Sequence, residues 1–173
     1  MSTRPLIVAL AFVTGLAVHA GFEGRPVEAQ GKPLPSSRGR QVIAPPAFPK
    51  TGLPYSPGIL VGDTLYLSGQ LGRDPKTAAL VPGGIEAETR QALANMREVL
   101  HAADMDLGDV VTVTAFIRDF KDFDAFNRVY REHFAVDPPA RATVQVSALN
   151  LGAAIELQMT AAKPGMRLRF VGQ

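Results

Sequence analysis

Cysteine is missing from this chain of 173 residues. Its absence excludes a disulfide framework, thiolate metal sites and a cysteine nucleophile. Histidine is scarce. His19, His101 and His133 share no ligand spacing, so no metal centre is expected. An excess of charge is missing too: the formal net charge is +2 and the basic residues are scattered. That balance gives no electrostatic footprint for nucleic acid or a membrane surface. Long apolar runs are lacking as well. The run from Pro5 to Val18 is shorter than the roughly 20 residues that span a bilayer.

That run has another reading. Arg4 precedes it, and Val18-His19-Ala20 places small residues where a signal peptidase reads. Residues 1–20 are therefore expected to be a secretory signal peptide, with Ala29 a second cleavage point. The lack of cysteine nearby argues against a lipoprotein anchor. Removing residues 1–20 takes away Arg4 and no acidic residue, so the charge falls from +2 to +1. Export to the periplasm or beyond is expected, with no stable membrane association after cleavage. Residues 21–41 mix Gly, Pro, Ser and both charge signs without an apolar period, and read as a flexible lead-in. The folded domain is expected over 42–164, with a C-terminal tail over 165–173. Nearly half the residues are hydrophobic, enough for one domain with its own core.

Pro45, Pro46 and Pro49 limit the entry to a short edge strand or an extended segment. Leu53-Pro54-Tyr55-Ser56-Pro57-Gly58 is a rigid loop, since each proline fixes its own φ and biases its predecessor toward extended backbone. Ile59 to Val61, a Gly62-Asp63 turn and Thr64 to Gln70 predict a strand hairpin. Alternation there puts Leu65 and Leu67 on one face and Tyr66, Ser68 and Gln70 on the polar one. After a loop from Gly72 to Gly83, Ile85, Ala92, Leu93, Met96, Val99, Leu100 and Ala103 recur at helical steps. They predict a helix from Ile85 to Ala103. Val110 to Ile117 is β-branched and continuous enough for a central strand. A second helix follows from Asp122 to Phe134, with Phe123, Phe126, Tyr130 and Phe134 as its stripe. Asn127 falls on that apolar face, where an amide must find partners. A structural hydrogen bond and a site role are both open to it.

Two alternating stretches close the domain, Ala140 to Ala148 and Ile155 to Thr160, joined through Asn150-Leu151-Gly152. A hairpin is the natural reading. It places Glu156 across from about Gln145, with Thr143 a diagonal neighbour and Arg141 on the same polar face. An arginine and a glutamate so placed are most often a solvated ion pair of little energetic worth. They also present a cation and a carboxylate to one patch of sheet. The whole order gives an α+β fold, a mixed sheet with two helices on one face. The other face is too polar for a second core and too apolar for full exposure, so a symmetric oligomer is expected to cover it.

The wording of this stretch resembles the signature of the RidA family, also called YjgF. The family pattern is matched by Pro139-Ala140-Arg141-Ala142-Thr143-Val144 and Ile155-Glu156-Leu157, at the family's spacing. The resemblance extends from Pro54-Tyr55 to Ala162. It implies the chorismate mutase-like fold, a homotrimer, and ligand pockets between subunits. It also implies hydrolysis of imines and enamines derived from amino acids, of the 2-iminobutanoate and 2-iminopropanoate type, to 2-keto acids and ammonia. No metal or organic cofactor is implied. Arg141 matches the arginine that clamps the substrate carboxylate, and Glu156 the glutamate that holds and activates water. Tyr55, Ser68, Gly69 and Asn127 match pocket residues. Thr143 departs from the pattern, standing where many members carry cysteine; its hydroxyl keeps a polar handle there.

Two other functions compete. Some relatives are described as ribonucleases that inhibit translation, but the chain has neither a basic stripe nor interleaved aromatics. A non-catalytic protein holding a small carboxylate would use Arg141 equally well; Glu156 argues for water chemistry instead.

Overall fold

The computed structural model describes residues 39–46 and 52–163. The expected signal peptide, almost all of the lead-in and the expected tail over 165–173 lie outside the described residues. In chain order the elements are β1 (Arg40–Ile43), β2 (Gly58–Val61), β3 (Thr64–Leu71), α1 (Gly84–His101), β4 (Val110–Ile117), α2 (Phe123–His133), β5 (Ala140–Gln145) and β6 (Ile155–Ala162). The predicted α+β order is observed. The first strand among the described residues, β1, starts two residues before the expected start of the domain.

One six-stranded sheet has the order β1-β2-β3-β6-β4-β5. Every neighbouring pair is antiparallel except β4 and β5. Parallel neighbours need a crossover, and α2 supplies it. The β2–β3 turn is the predicted Gly62-Asp63, where Gly62 takes the left-handed φ of 57° that a tight turn requires.

The hairpin expected from β5 to β6 does not form, because β4 lies between them. The two strands do run in opposite directions, which is why their alternation reads as a hairpin. Their connection instead passes over the end of β4: Val146 N–H donates to the Ile117 carbonyl at 3.0 Å, and Arg118 N–H to the Ala154 carbonyl at 3.0 Å. The β-branched run of β4 takes the central place because Val113, Ala115 and Ile117 all face the core.

Helix α1 buries the stripe read from its periodicity, with Ala92, Leu93, Met96, Val99 and Leu100 at 1% exposure or less. Helix α2 buries Phe126, Val129 and Tyr130. Both pack on the sheet face that carries Leu65, Leu67, Val113, Ile155, Leu157 and Met159. The helices are also tied outside the core, where Arg90 reaches Glu132 at 2.7 Å and Arg128 reaches Glu86 at 2.6 Å. Exposed pairs of this kind are screened by water and contribute little, so the apolar layer holds the fold.

Candidate active site

Strand β3 carries an irregularity that builds the first part of the site. Its register with β6 runs to Leu67 opposite Met159 and resumes at Gln70 opposite Leu157. One extra residue on β3 is a β-bulge, and Ser68 and Gly69 occupy it. The bulge resets the alternation, so Gln70 turns inward to 6% exposure and does not share the polar face as expected. At Gly69 the backbone lies directly against the Glu156 side chain. A Cβ there would sit 1.9 Å from Glu156 Oε1, a space that only glycine leaves open.

The proline-rich loop is stitched to the same bulge. Ser68 Oγ donates to the Ser56 carbonyl at 2.6 Å, and Ser68 N–H donates to the Pro57 carbonyl at 2.9 Å. These bonds bring Tyr55 over the site. Tyr55, Ser68, Gly69 and Glu156 line one cavity of about 600 Å³, together with Leu53 and Leu71. Burial alone pushes the Glu156 carboxyl above the usual carboxylate range. Among the described residues no cation or hydrogen-bond donor is paired with it.

The second part lies between α2 and β5. Arg141 Nη2 donates to Asn127 Oδ1 at 2.7 Å. The guanidinium carbon also stands 4.5 Å from the Tyr130 ring centroid and 5.0 Å from that of Phe126. Asn127, Tyr130, Phe134, Pro138, Pro139 and Arg141 line a cleft of about 410 Å³. Asn127 thus finds its partner in Arg141. Thr143 is half-buried in register with Ala115 and lines neither cavity.

The expected patch joining Arg141 and Glu156 is not formed within one chain. Arg141 is in register with Val113, a core residue, and so points to the helix side of the sheet. Glu156 is in register with Phe116, on the opposite side. Inserting β4 between the two strands is what separates them. The seven residues read from the sequence therefore fall into three places: Tyr55, Ser68, Gly69 and Glu156 together, Asn127 with Arg141, and Thr143 apart.

Two residues of the architecture escaped the sequence reading. Tyr130, read only as a core aromatic, forms a face for Arg141. Glu88 is 6% exposed, and its Oε2 accepts a hydrogen bond from the Ala154 backbone N–H at 2.8 Å. That bond pins α1 to the chain just ahead of Glu156. A signal existed for it, since Glu88 stands three residues after Ile85 and four before Ala92, on the apolar stripe itself.

Residues 46–163 match the family described as Endoribonuclease L-PSP. The chain belongs to that family, the RidA or YjgF proteins. The human protein named 2-iminobutanoate/2-iminopropanoate deaminase is 44% identical to this RidA-family chain over 126 residues, 73% of this chain and 92% of that one. The crystal structure of RidA from the Antarctic bacterium Psychrobacter superimposes with a TM-score of 0.68 at 36% identity, covering 71% of this chain and 99% of that one. The YjgF gene product of Escherichia coli does so with a TM-score of 0.68 at 32% identity, covering 71% and 98%.

Proposed function

We propose that this RidA-family protein is an enamine/imine deaminase, a hydrolase of carbon–nitrogen double bonds acting on 2-imino acids of the 2-iminobutanoate and 2-iminopropanoate type. The observation that carries this reading is the Glu156 carboxyl, half-buried, without a partner among the described residues and open to a cavity. A carboxyl whose affinity for protons is raised by burial serves as base and then as acid. Glu156 takes a proton from water as the water oxygen bonds to the imine carbon. It returns that proton to nitrogen, giving a carbinolamine, and then carries the carbinolamine hydroxyl proton to nitrogen as the carbonyl forms; the carbon–nitrogen bond breaks, ammonia leaves, and a 2-keto acid remains. Arg141 holds the substrate carboxylate, its fork bonding both oxygens. Tyr55 walls the cavity. Ser68 has spent its hydroxyl proton on Ser56, so it and Gly69 offer acceptor and backbone groups to a ligand.

One chain keeps Arg141 and Glu156 on opposite sides of its sheet, so a single imino acid meets both only if a second copy supplies one of them. A homotrimer does this three times over by closed symmetry. The open face carries half-exposed Tyr66 and Val144 for such a contact. Light scattering on protein lacking residues 1–20 checks this; a stable monomer at micromolar concentration refutes it. Export is part of the reading, and sequencing the mature N-terminus decides it.

The decisive assay generates 2-imino acids with an amino-acid oxidase and traps the remainder with semicarbazide. The protein is expected to lower the trapped fraction. Arg141→Ala is expected to reduce kcat/KM by about 100-fold or more, through loss of charged hydrogen bonds. Glu156→Gln is expected to bind 2-keto acids normally but lower kcat by about 100-fold or more, because an amide takes no proton. Binding of keto acids without turnover of any imine identifies a non-catalytic carboxylate-binding protein instead.

A further inference from the structure

The Tyr130 hydroxyl is buried and has no hydrogen-bond partner among the described residues. Burial raises its pKa to about 12, so it stays a neutral phenol. An unpaired buried donor is uncommon enough to need a reason. Being inaccessible, this hydroxyl does not reach a ligand, so the reason lies in the ring. Its face is the nearer of the two beneath Arg141. Phe126 and Phe134, one helical turn to either side, pack against the ring at centroid distances of 5.4 and 4.5 Å and keep it from turning away.

We propose that Tyr130 is a positioning residue for Arg141. Its ring, backed by Phe126 and Phe134, fixes the plane of the guanidinium through a cation–π contact, while Asn127 fixes its rotation at Nη2. The guanidinium edge not used by Asn127 is then presented to the cleft, ready-oriented for both oxygens of a carboxylate. The inference rests on reading Arg141 as the carboxylate clamp.

The test uses purified protein, with 2-oxobutanoate binding by calorimetry, the imine-trapping kinetics, and the NMR shift of the Arg141 Nε proton, assigned by its loss in Arg141→Lys. In Tyr130→Leu the ring-current shift of that proton is expected to shrink to what Phe126 alone contributes, and KM and the 2-oxobutanoate Kd to rise about tenfold, with kcat changing less than KM. Tyr130→Phe is expected to rescue both constants to within about twofold and to keep the shift. If Tyr130→Leu does not fold, phenylalanines bearing one, two and three ring fluorines in place of Tyr130 carry the test. They keep the shape while draining the π face, so Kd is expected to rise stepwise with fluorine number. A flat fluorine series, or a Tyr130→Phe variant as damaged as Tyr130→Leu, overturns the proposal. Failure of the deaminase reading looks different: wild type then turns over no imine, yet the Arg141 shift and 2-oxobutanoate binding still respond to position 130. If Arg141→Ala leaves that binding unchanged, the clamp itself is refuted and Tyr130 has no ligand role to support.

Discussion

The Arg141 guanidinium is held by a side-chain amide and two aromatic faces, whereas the Glu156 carboxyl lies against bare backbone at Gly69 with no paired donor among the described residues. The contrast follows from what each group can be made to do. A guanidinium stays charged in any protein environment, so its surroundings can improve only its orientation. A carboxyl responds to its surroundings by changing its proton affinity, and leaving it unpaired in a desolvated place does that. On the proposed function, one half of the site is built for geometry and the other for reactivity. Substitutions should therefore fail differently in the two halves.

Outside Arg141 and Glu156 themselves, Gly69→Ala is expected to have the largest effect. The new Cβ needs the space of the Glu156 carboxyl, and the side chain, being flexible, moves in preference to the strand. A displacement of about 1 Å at a catalytic group commonly costs about 100-fold in rate. Turnover should fall by that much while melting temperature changes little. The Arg141 half should be untouched, with 2-oxobutanoate binding retained. Wild-type turnover in Gly69→Ala would show that the close approach has no catalytic meaning.

Mixing inactive variants tests whether the halves meet across copies. Arg141→Ala keeps Glu156, and Glu156→Gln keeps Arg141. If subunits exchange at random in equal amounts, about a quarter of the interfaces unite both intact groups. Unfolding and refolding the two variants together should restore about a quarter of wild-type activity by that reasoning. No recovery from assemblies shown to be mixed places both groups within one chain's site and contradicts the two-copy reading.

Much of this was legible before any coordinates. The helix stripes, the Gly62-Asp63 turn and the β4 run follow from local periodicity, which depends on neighbours three, four or two residues away. The bulge at Ser68-Gly69 was not legible. Strict alternation through Leu67 predicted an outward Gln70, and an inserted residue leaves no mark in a pattern so short. The place of β4 between β5 and β6 was not legible either, because strand order is a long-range choice made by burial of Val113, Ala115 and Ile117. The candidate residues could thus be named from the sequence, while their distribution over two faces needed the topology.

Glu88 offers a smaller perturbation on the Glu156 side alone. Glu88→Ala removes the acceptor of the Ala154 N–H and leaves a buried donor unsatisfied, a cost of about 1–3 kcal/mol. Denaturant unfolding should register that loss, and kcat should fall because β6 is no longer pinned ahead of Glu156. Glu88→Gln keeps an acceptor oxygen and should recover most of the stability. Equal damage from both variants would mean that the negative charge of Glu88, not its acceptor, is what the fold uses.

The smallest expected effect is a shift in one titration, and it bears most directly on the comparison. In the single chain, burial holds the Glu156 pKa above the usual carboxylate value. A carboxyl shifted this way binds a proton more tightly folded than unfolded. Its contribution therefore favours the fold below the unfolded pKa and is lost as pH rises through the folded one. If a neighbouring copy brings Arg141 opposite Glu156, the guanidinium pulls that pKa back down. The carboxyl ¹³C titration of Glu156 is then expected at a lower midpoint in wild type than in Arg141→Ala, where only desolvation remains. The acid limb of turnover in wild type should follow the same midpoint, since the base works only when deprotonated. Identical midpoints in the two proteins would mean that Arg141 never faces Glu156, and that each half of the site acts without the other.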